Sequence, residues 1–343
     1  MDLLLSDDQR SIVSSVAEVL DDLMPFESVR RVLDGDAGPL DALWRSAGEL
    51  GWFGLALSES AGGAGFDLID EALLFVELGR RVTPGPFLGT VLAARAATVS
   101  GAADVAAALL SGQARGALGA HPPDGPSILY DAADAAYLLV FDGEGASLYE
   151  AAAAGNRTEQ RGLDPLLRRE TASLSGEPIA TLSSAAEPIG PRGSVLTSAL
   201  LTGIAAAGRD ISVSYAKTRE QFGSPIGAFQ AVKHRCADLA VGAALADAQL
   251  TFAALSVAEY ADDVDFQVAS ARVVAERAAL HNVREAIQIY GGIGVTWECD
   301  AHLYLKRTHA LRELFGGEAA QRPALLQPAR RTEENTNVAT VNA

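Results

Sequence analysis

Tyr215-Ala216-Lys217-Thr218-Arg219-Glu220-Gln221-Phe222-Gly223-Ser224-Pro225-Ile226-Gly227-Ala228-Phe229-Gln230 separates two long helical texts, and its reading decides the fold. Upstream, from roughly Ser194 to Thr218, apolar and small residues recur at helical period; downstream, Ala228 to Glu259 and Phe266 to Ile289 do the same. The quoted stretch is therefore a polar, glycine-rich turn between helices. Interiors rich in Ala and Gly let helices approach closely, which predicts a tightly packed antiparallel bundle, four-helix-bundle-like, over 188–330.

Toward the amino terminus the texture changes. Between 112 and 187, Gly and Pro punctuate short β-type runs at Ile128-Leu129-Tyr130 and Ala136 to Phe141, with further segments at 146–150 and 172–174. A small, mostly antiparallel middle β domain is expected there. Residues 1–111 read as helical: an amphipathic helix opens at Ser6 behind acidic Asp7-Asp8, a second spans Leu40 to Leu50 and stops at Gly51, a third spans Asp67 to Leu78 and stops at Gly79, and helical text resumes from Leu88 to about Leu110. The tail 331–343 is expected to be disordered. The fold class is α+β, mainly α: an N-terminal helical domain, a middle β domain and a C-terminal helix bundle.

The 343 residues carry 27 basic and 44 acidic side chains, a formal net charge of −17. Such a surface repels phosphate backbones, which argues against nucleic acid and against a basic-patch membrane reader. The start, Met1 to Asp8, lacks a basic n-region and a long apolar run, so no export signal is expected. Apolar stretches around Val195 to Gly208 and Leu239 to Leu255 are too short or are interrupted by Asp247, and read as buried helices. Cys236 and Cys299 cannot build a disulfide framework and suit a reducing, cytoplasmic setting. His302 and His309 are a helical-period pair without a third ligand, so no metal site is expected. Zinc-protease, phosphate-loop, nucleophile-elbow and dinucleotide-fingerprint motifs are absent.

Two segments stand out from the Ala-rich background. In the quoted turn, Arg219 offers a rigid fork of donors suited to a pyrophosphate and Phe222 a flat apolar face. By chemistry alone the same residues also fit an ordinary helix hairpin with a salt-bridged arginine. The second segment is Gln288-Ile289-Tyr290-Gly291-Gly292-Ile293-Gly294, where missing side chains open backbone to a ligand. A helix C-terminus carries the wrong partial charge for an anion, so phosphates there need a cation from elsewhere, and Arg219 is the obvious supplier.

Taken in order, these segments resemble the carboxy-terminal half of the acyl-CoA dehydrogenase family, whose pattern is R-x-x-F-G, a later Gln, then Q-x-x-G-G-x-G. Arg219, Phe222, Gly223, Gln230, Gln288, Gly291 and Gly292 match it. The resemblance spans nearly the whole chain, including Leu50-Gly51-Trp52-Phe53-Gly54 and the Gly62-Gly63 loop. It implies FAD, an acyl-CoA thioester substrate, an electron-acceptor protein, and tetramers. In these, Arg219, Gln221, Phe222, Gln230, Gln288, Ile289, Tyr290, Gly291 and Gly292 hold the ADP half of a flavin whose ring sits mainly on a neighbouring chain.

The chain departs from the family where chemistry is done. Dehydrogenation needs a carboxylate to take the α-proton while flavin accepts the β-hydride. Carried forward in register, the usual position of that base falls on Phe315; a second family position, counted back from Arg219, falls on Gly193. Neither is acidic. Glu318 and Glu313 are nearby carboxylates that a rebuilt turn would use, against the plain reading of Glu318 as an exposed helix-start glutamate. The usual T-E-P-x-x-G-S-like ring-binding segment corresponds to Arg115 to Pro123, which offers no matching hydroxyl or carboxylate, and 112–184 is short. These losses resemble the short subunit of hetero-oligomeric acyl-CoA dehydrogenases, paired with a longer chain that brings the base and acting on bulky thioesters such as steroid side chains. The alternatives are a self-sufficient homo-oligomer with a relocated base such as Glu318, and a flavin-free protein that binds an acyl-CoA or a partner.

Overall fold

The computed structural model describes residues 5–326; the tail expected to be disordered lies outside them. Six helices come first: α1 (Asp7–Leu23), α2 (Phe26–Leu33), α3 (Gly38–Glu49), α4 (Leu68–Arg80), α5 (Phe87–Val99) and α6 (Ala103–Leu110). Ser6 and Gln9 exchange side-chain and backbone hydrogen bonds, each 3.1 Å, closing a capping box that starts α1. Gly51, at φ 73°, takes the left-handed position after α3, as its sequence context predicts.

Gly79 is different: α4 runs through it to Arg80. A Cβ there would stand 2.1 Å from the Leu200 carbonyl oxygen, so this glycine is a site of helix contact rather than a helix stop. The expected helix 88–110 is likewise two helices, because Gly101 at φ 79° turns the chain between α5 and α6.

Strands β1 (Gly116–Ala120), β2 (Ser127–Tyr130), β3 (Tyr137–Phe141), β4 (Gly145–Glu150), β5 (Ala154–Gln160), β6 (Arg169–Leu174) and β7 (Ala180–Ser183) form one sheet in the order β5-β6-β2-β1-β3-β4-β7. All pairs are antiparallel except β1 with β3. The stretch Gly116 to Ala120, outside the β-type runs picked out from sequence, is the central strand. Its small residues are there because α5 lies directly on it: a Cβ at Gly89 would meet the Gly116 carbonyl oxygen at 2.5 Å.

The remaining chain is α7 (Ile189–Thr218), a short hairpin β8 (Glu220–Gln221) and β9 (Ser224–Pro225), then α8 (Gln230–Ala258), α9 (Val264–Tyr290), α10 (Ala301–Leu311) and α11 (Gly317–Leu326). Backbone meets backbone where α4 crosses α7: besides Gly79, a Cβ at Gly203 would stand 2.0 Å from the Val76 carbonyl oxygen. Fully buried Asn282 of α9 donates to the Ala205 and Leu239 carbonyls at 2.8 and 2.9 Å, tying three helices together. Helix α8 is long and apolar enough to cross a membrane by length and composition, with mean hydropathy 1.5. It packs against α7 and α9 along one face only and leaves Val241, Leu245 and Phe252 exposed on the other, so the expectation of a buried helix is half right.

One arginine joins the three parts. Arg307 of α10 pairs with buried Asp164 from the sheet region and donates to the Thr83 carbonyl at 3.1 Å. Beside it Asp131 accepts from the Arg168 backbone N–H at 2.8 Å, but burial pushes its carboxyl up to about 6 from 3.8. A raised carboxylate costs stability above about pH 6, and that cost disappears as the pH falls toward 3.8. Asp131→Asn, which keeps the acceptor, should therefore stabilise the fold by about 1–3 kcal/mol at pH 7.5 and by nothing near pH 4. Urea unfolding at the two pH values checks it; a loss of stability at pH 7.5 would contradict it.

Candidate functional site

The two ends of α7 carry two separate constellations. At its C-terminus Arg219 caps the helix and leads into the β8–β9 hairpin. Phe222 and Gly223 at the hairpin tip both adopt positive φ, 55° and 77°, a strained conformation for an aromatic residue. Phe222 is 94% exposed, edge-on to Phe229 at 6.2 Å. Gln221 turns its amide onto the neighbouring Glu220 carbonyl, and Gln230, also exposed, opens α8. Arg219 makes no ion pair among the described residues, which removes the support for an internally salt-bridged hairpin arginine.

The second sequence segment comes to the same end of the bundle. Tyr290 stacks on Tyr215 at 4.1 Å and 13°, so the end of α9 lies beside the last turns of α7. Gln288 is exposed, and Ile289 and Tyr290 are half-buried. Cβ atoms placed at Gly291 or Gly292 would meet nothing within 4 Å, leaving an open glycine surface. Bare backbone, a free guanidinium and an unsupported aromatic face suit a nucleotide's phosphates and base.

The other constellation surrounds the first turns of α7. A cleft of about 680 Å³ opens between β1, the sheet edge, α7 and the turn before α11. Leu118 to Pro123, part of the segment expected from sequence to stand for the ring-binding loop, form one wall, with leucine, glycine, alanine, proline and His121 rather than hydroxyls. Phe315 stands on the opposite side, edge-to-face with Phe141 at 5.1 Å.

The two positions to which sequence register assigns a base touch each other. A Cβ at Gly193 would lie 2.3 Å from Cζ of Phe315, so the aromatic ring occupies the space that a side chain at 193 would need. Phe315 sits at φ 53° in a turn held by fully buried Arg272, which donates to the Leu311 and Leu314 carbonyls at 2.6 and 3.1 Å and to Glu276 at 2.7 Å. That arginine has no sequence signal beyond its place in α9. Tyr130, at the end of β2, also lines the cleft and was not singled out from sequence; burial raises its hydroxyl above the usual range.

Exposed Asp265 and Asp142, which accepts the Glu144 and Gly145 backbone N–H groups, line the cleft, while the two glutamates expected from sequence are committed elsewhere. Glu318 does not line it and pairs with Arg277 at 3.3 Å and Arg322 at 3.6 Å. Glu313 reaches the rim but pairs with Arg169 at 3.3 Å. Among the described residues no three His, Cys, Asp or Glu side chains converge as metal ligands.

From Gly193 to Thr218 is 25 helical steps, or about 38 Å at 1.5 Å per step. The cleft and the Arg219 hairpin of one chain are thus farther apart than the two ends of any dinucleotide, and cannot hold one molecule between them.

The comparisons agree with the motifs. The acyl-CoA dehydrogenase N-terminal domain matches residues 6–117 and the acyl-CoA dehydrogenase C-terminal domain residues 192–327. Acyl-CoA dehydrogenase IpdE2 of Mycobacterium tuberculosis is 34% identical over 84% of this chain and 86% of its own length. Acyl-CoA dehydrogenase FadE34 of the same organism is 32% identical over 83% of this chain but only 41% of itself. A solved structure described as the Tcur3481-Tcur3483 steroid ACAD G363A variant superimposes with a TM-score of 0.81 at 25% identity, covering 93% of this chain and 96% of the other.

On the register that puts Phe315 at the base position, and with Glu318 outside the cleft lining, two substitutions have opposite expectations from those of a self-sufficient enzyme. Glu318→Gln should leave acyl-CoA oxidation by any complex containing this chain within about twofold, and Phe315→Glu should confer no oxidation on the chain alone. A hundredfold loss in the first, or turnover in the second, measured by dye reduction, would contradict the assignment.

Proposed function

This chain belongs to the acyl-CoA dehydrogenase family, and from that premise we propose that it is the subunit that grips the ADP half of an FAD whose ring and catalytic base belong to a longer partner chain. The observation that carries this is the pair of positions 193 and 315: one is glycine, the other a phenylalanine filling the glycine's space. The 38 Å between cleft and hairpin, about the rise of 25 helical steps, supports a site completed across chains. FadE34 adds support, since more than half of that relative lies outside the match, room for a second body of similar size.

In this arrangement Arg219 neutralises pyrophosphate charge, Gly291 and Gly292 admit the nucleotide to backbone contact, and Phe222 lies against it; Gln221, Gln230, Gln288, Ile289 and Tyr290 complete the cradle. Exposed Phe222, and the Val241, Leu245 and Phe252 stripe of α8, become buried against neighbouring chains. FAD, when bound, supplies the hydride acceptor for α,β-dehydrogenation of an acyl-CoA thioester. A bulky, steroid-type acyl group is the substrate class that the named relatives suggest, in a cytoplasmic complex that passes electrons to an acceptor protein.

Flavin content separates the possibilities. The chain purified alone should be colourless, and co-expressed with a longer dehydrogenase it should give a yellow complex bleached by acyl-CoA. A yellow chain that is bleached on its own would establish the self-sufficient enzyme instead, and a colourless product in both preparations would favour a binding protein. Arg219→Ala should lower flavin retention in the complex by about tenfold or more, corresponding to one lost charge-assisted contact; unchanged retention would remove Arg219 from the cradle.

A further inference from the structure

A separate cavity gathers cations on a chain whose net charge is −17. It measures about 290 Å³ and lies where the loop between β5 and β6 meets the end of α10, sharing only Tyr130 and Glu313 with the cleft. Arg161 from the loop, Arg169 from β6 and His309 from α10 line it beside Asp164 and Glu313. Asp164 is already spent, since it pairs with Arg307 and accepts from the Leu166 backbone N–H at 2.9 Å. Glu313 answers only part of Arg169: its Oε2 stands 3.3 Å from Nη1, beyond the roughly 2.7–2.9 Å usual for a charge-assisted contact. Nε of Arg169 is buried without an acceptor among the described residues, where buried N–H groups ordinarily have one. Arg161 is exposed and makes no ion pair among the described residues. Burial raises the Tyr130 hydroxyl, which therefore stays a donor. Burial lowers the His309 imidazole below its ordinary 6.5, with Arg312 and Arg284 pushing the same way, so at neutral pH it adds an N–H without adding charge.

The geometry points to an anion site in this pocket, and the one acidic wall selects the anion: a tetrahedral oxyanion that still carries a proton, the hydrogen phosphate group. Two guanidinium forks on different elements, a hydroxyl and an imidazole suit several oxygens set around one centre, whereas a carboxylate is satisfied by a single fork. Glu313 sets the selectivity. An ionised carboxylate only accepts, so it repels a fully ionised oxyanion such as sulfate but accepts from the hydroxyl that phosphate keeps. Inorganic phosphate keeps one throughout the neutral range, and a phosphate ester keeps its last one below about pH 6. The cavity has the room of roughly ten waters, which admits the ion and the first atoms of anything esterified to it. Since Tyr130 and Glu313 line both cavities, an ion held here borders the cleft directly.

The test is calorimetric titration of the full chain, in whatever assembly it purifies, with sodium phosphate and separately with sodium sulfate, at equal ionic strength near pH 6. Expected are saturable phosphate binding and sulfate binding weaker by about tenfold or more. Arg161→Ala, which leaves every described ion pair in place, should weaken phosphate about tenfold or more, and Glu313→Gln, which removes the repelling charge, should bring sulfate level with phosphate. Absent phosphate binding, equal binding of the two ions by the unaltered chain, phosphate binding indifferent to Arg161→Ala, or sulfate still excluded by the Glu313→Gln variant would each overturn the inference. Displacement of phosphate by coenzyme A and not by dephospho-coenzyme A would place the group at the end of the coenzyme arm, and displacement by neither would make free phosphate the ligand; either upholds the site. Displacement by both would show that a protonated phosphate is not required and would overturn it. None of these outcomes depends on how the flavin is shared.

Discussion

Everything depends on how closely α7 is allowed to approach its neighbours. Gly79 and Gly203 bring the backbones of α4 and α7 into contact, with imagined Cβ atoms 2.0–2.1 Å from opposing carbonyl oxygens, and Asn282 stitches α7, α8 and α9 through two donated hydrogen bonds. Packing this dense leaves α7 a single position and a single length. Its first turns set Gly193 against Phe315, and its last set Arg219 against the end of α9. Both constellations hang from one rod, and neither can move toward the other.

Function follows from that separation. On the proposed reading, a nucleotide held at the hairpin end would have to be completed by another chain, because this chain's own cleft lies at the opposite end of α7. What distinguishes this chain is local chemistry at the cleft. Phe315 follows a turn whose Leu311 and Leu314 carbonyls accept from Arg272, and its ring fills the space beside Gly193. The committed pairs Glu313 with Arg169 and Glu318 with Arg277 leave those two acids structural roles.

Much of this was legible in the sequence because it is written in contiguous spacing. The helical text on both sides of Arg219, the β texture after Gly112 and the motif residues at 219–230 and 288–292 need only local reading. Register counting placed Phe315 and Gly193 at the base positions, but that they touch is a tertiary fact: nothing local links residues so far apart in the chain. Glycines misled in a consistent way. Gly79 looks like a helix stop and Gly116 to Ala120 lies outside the β-type runs, whereas both are places where another backbone passes, and a sequence does not distinguish a glycine that turns the chain from one that makes room. The open stripe of α8 was hidden for a related reason, since an apolar face reads the same whether this chain or another covers it.

The central claim, that this polypeptide contributes half of a flavin site and none of its base, is tested most directly by counting. In the purified complex with its longer partner, absorbance of released flavin against protein mass should give one FAD for each pair of unlike chains. One FAD for every chain, with this chain's cleft turning over acyl-CoA, would contradict it.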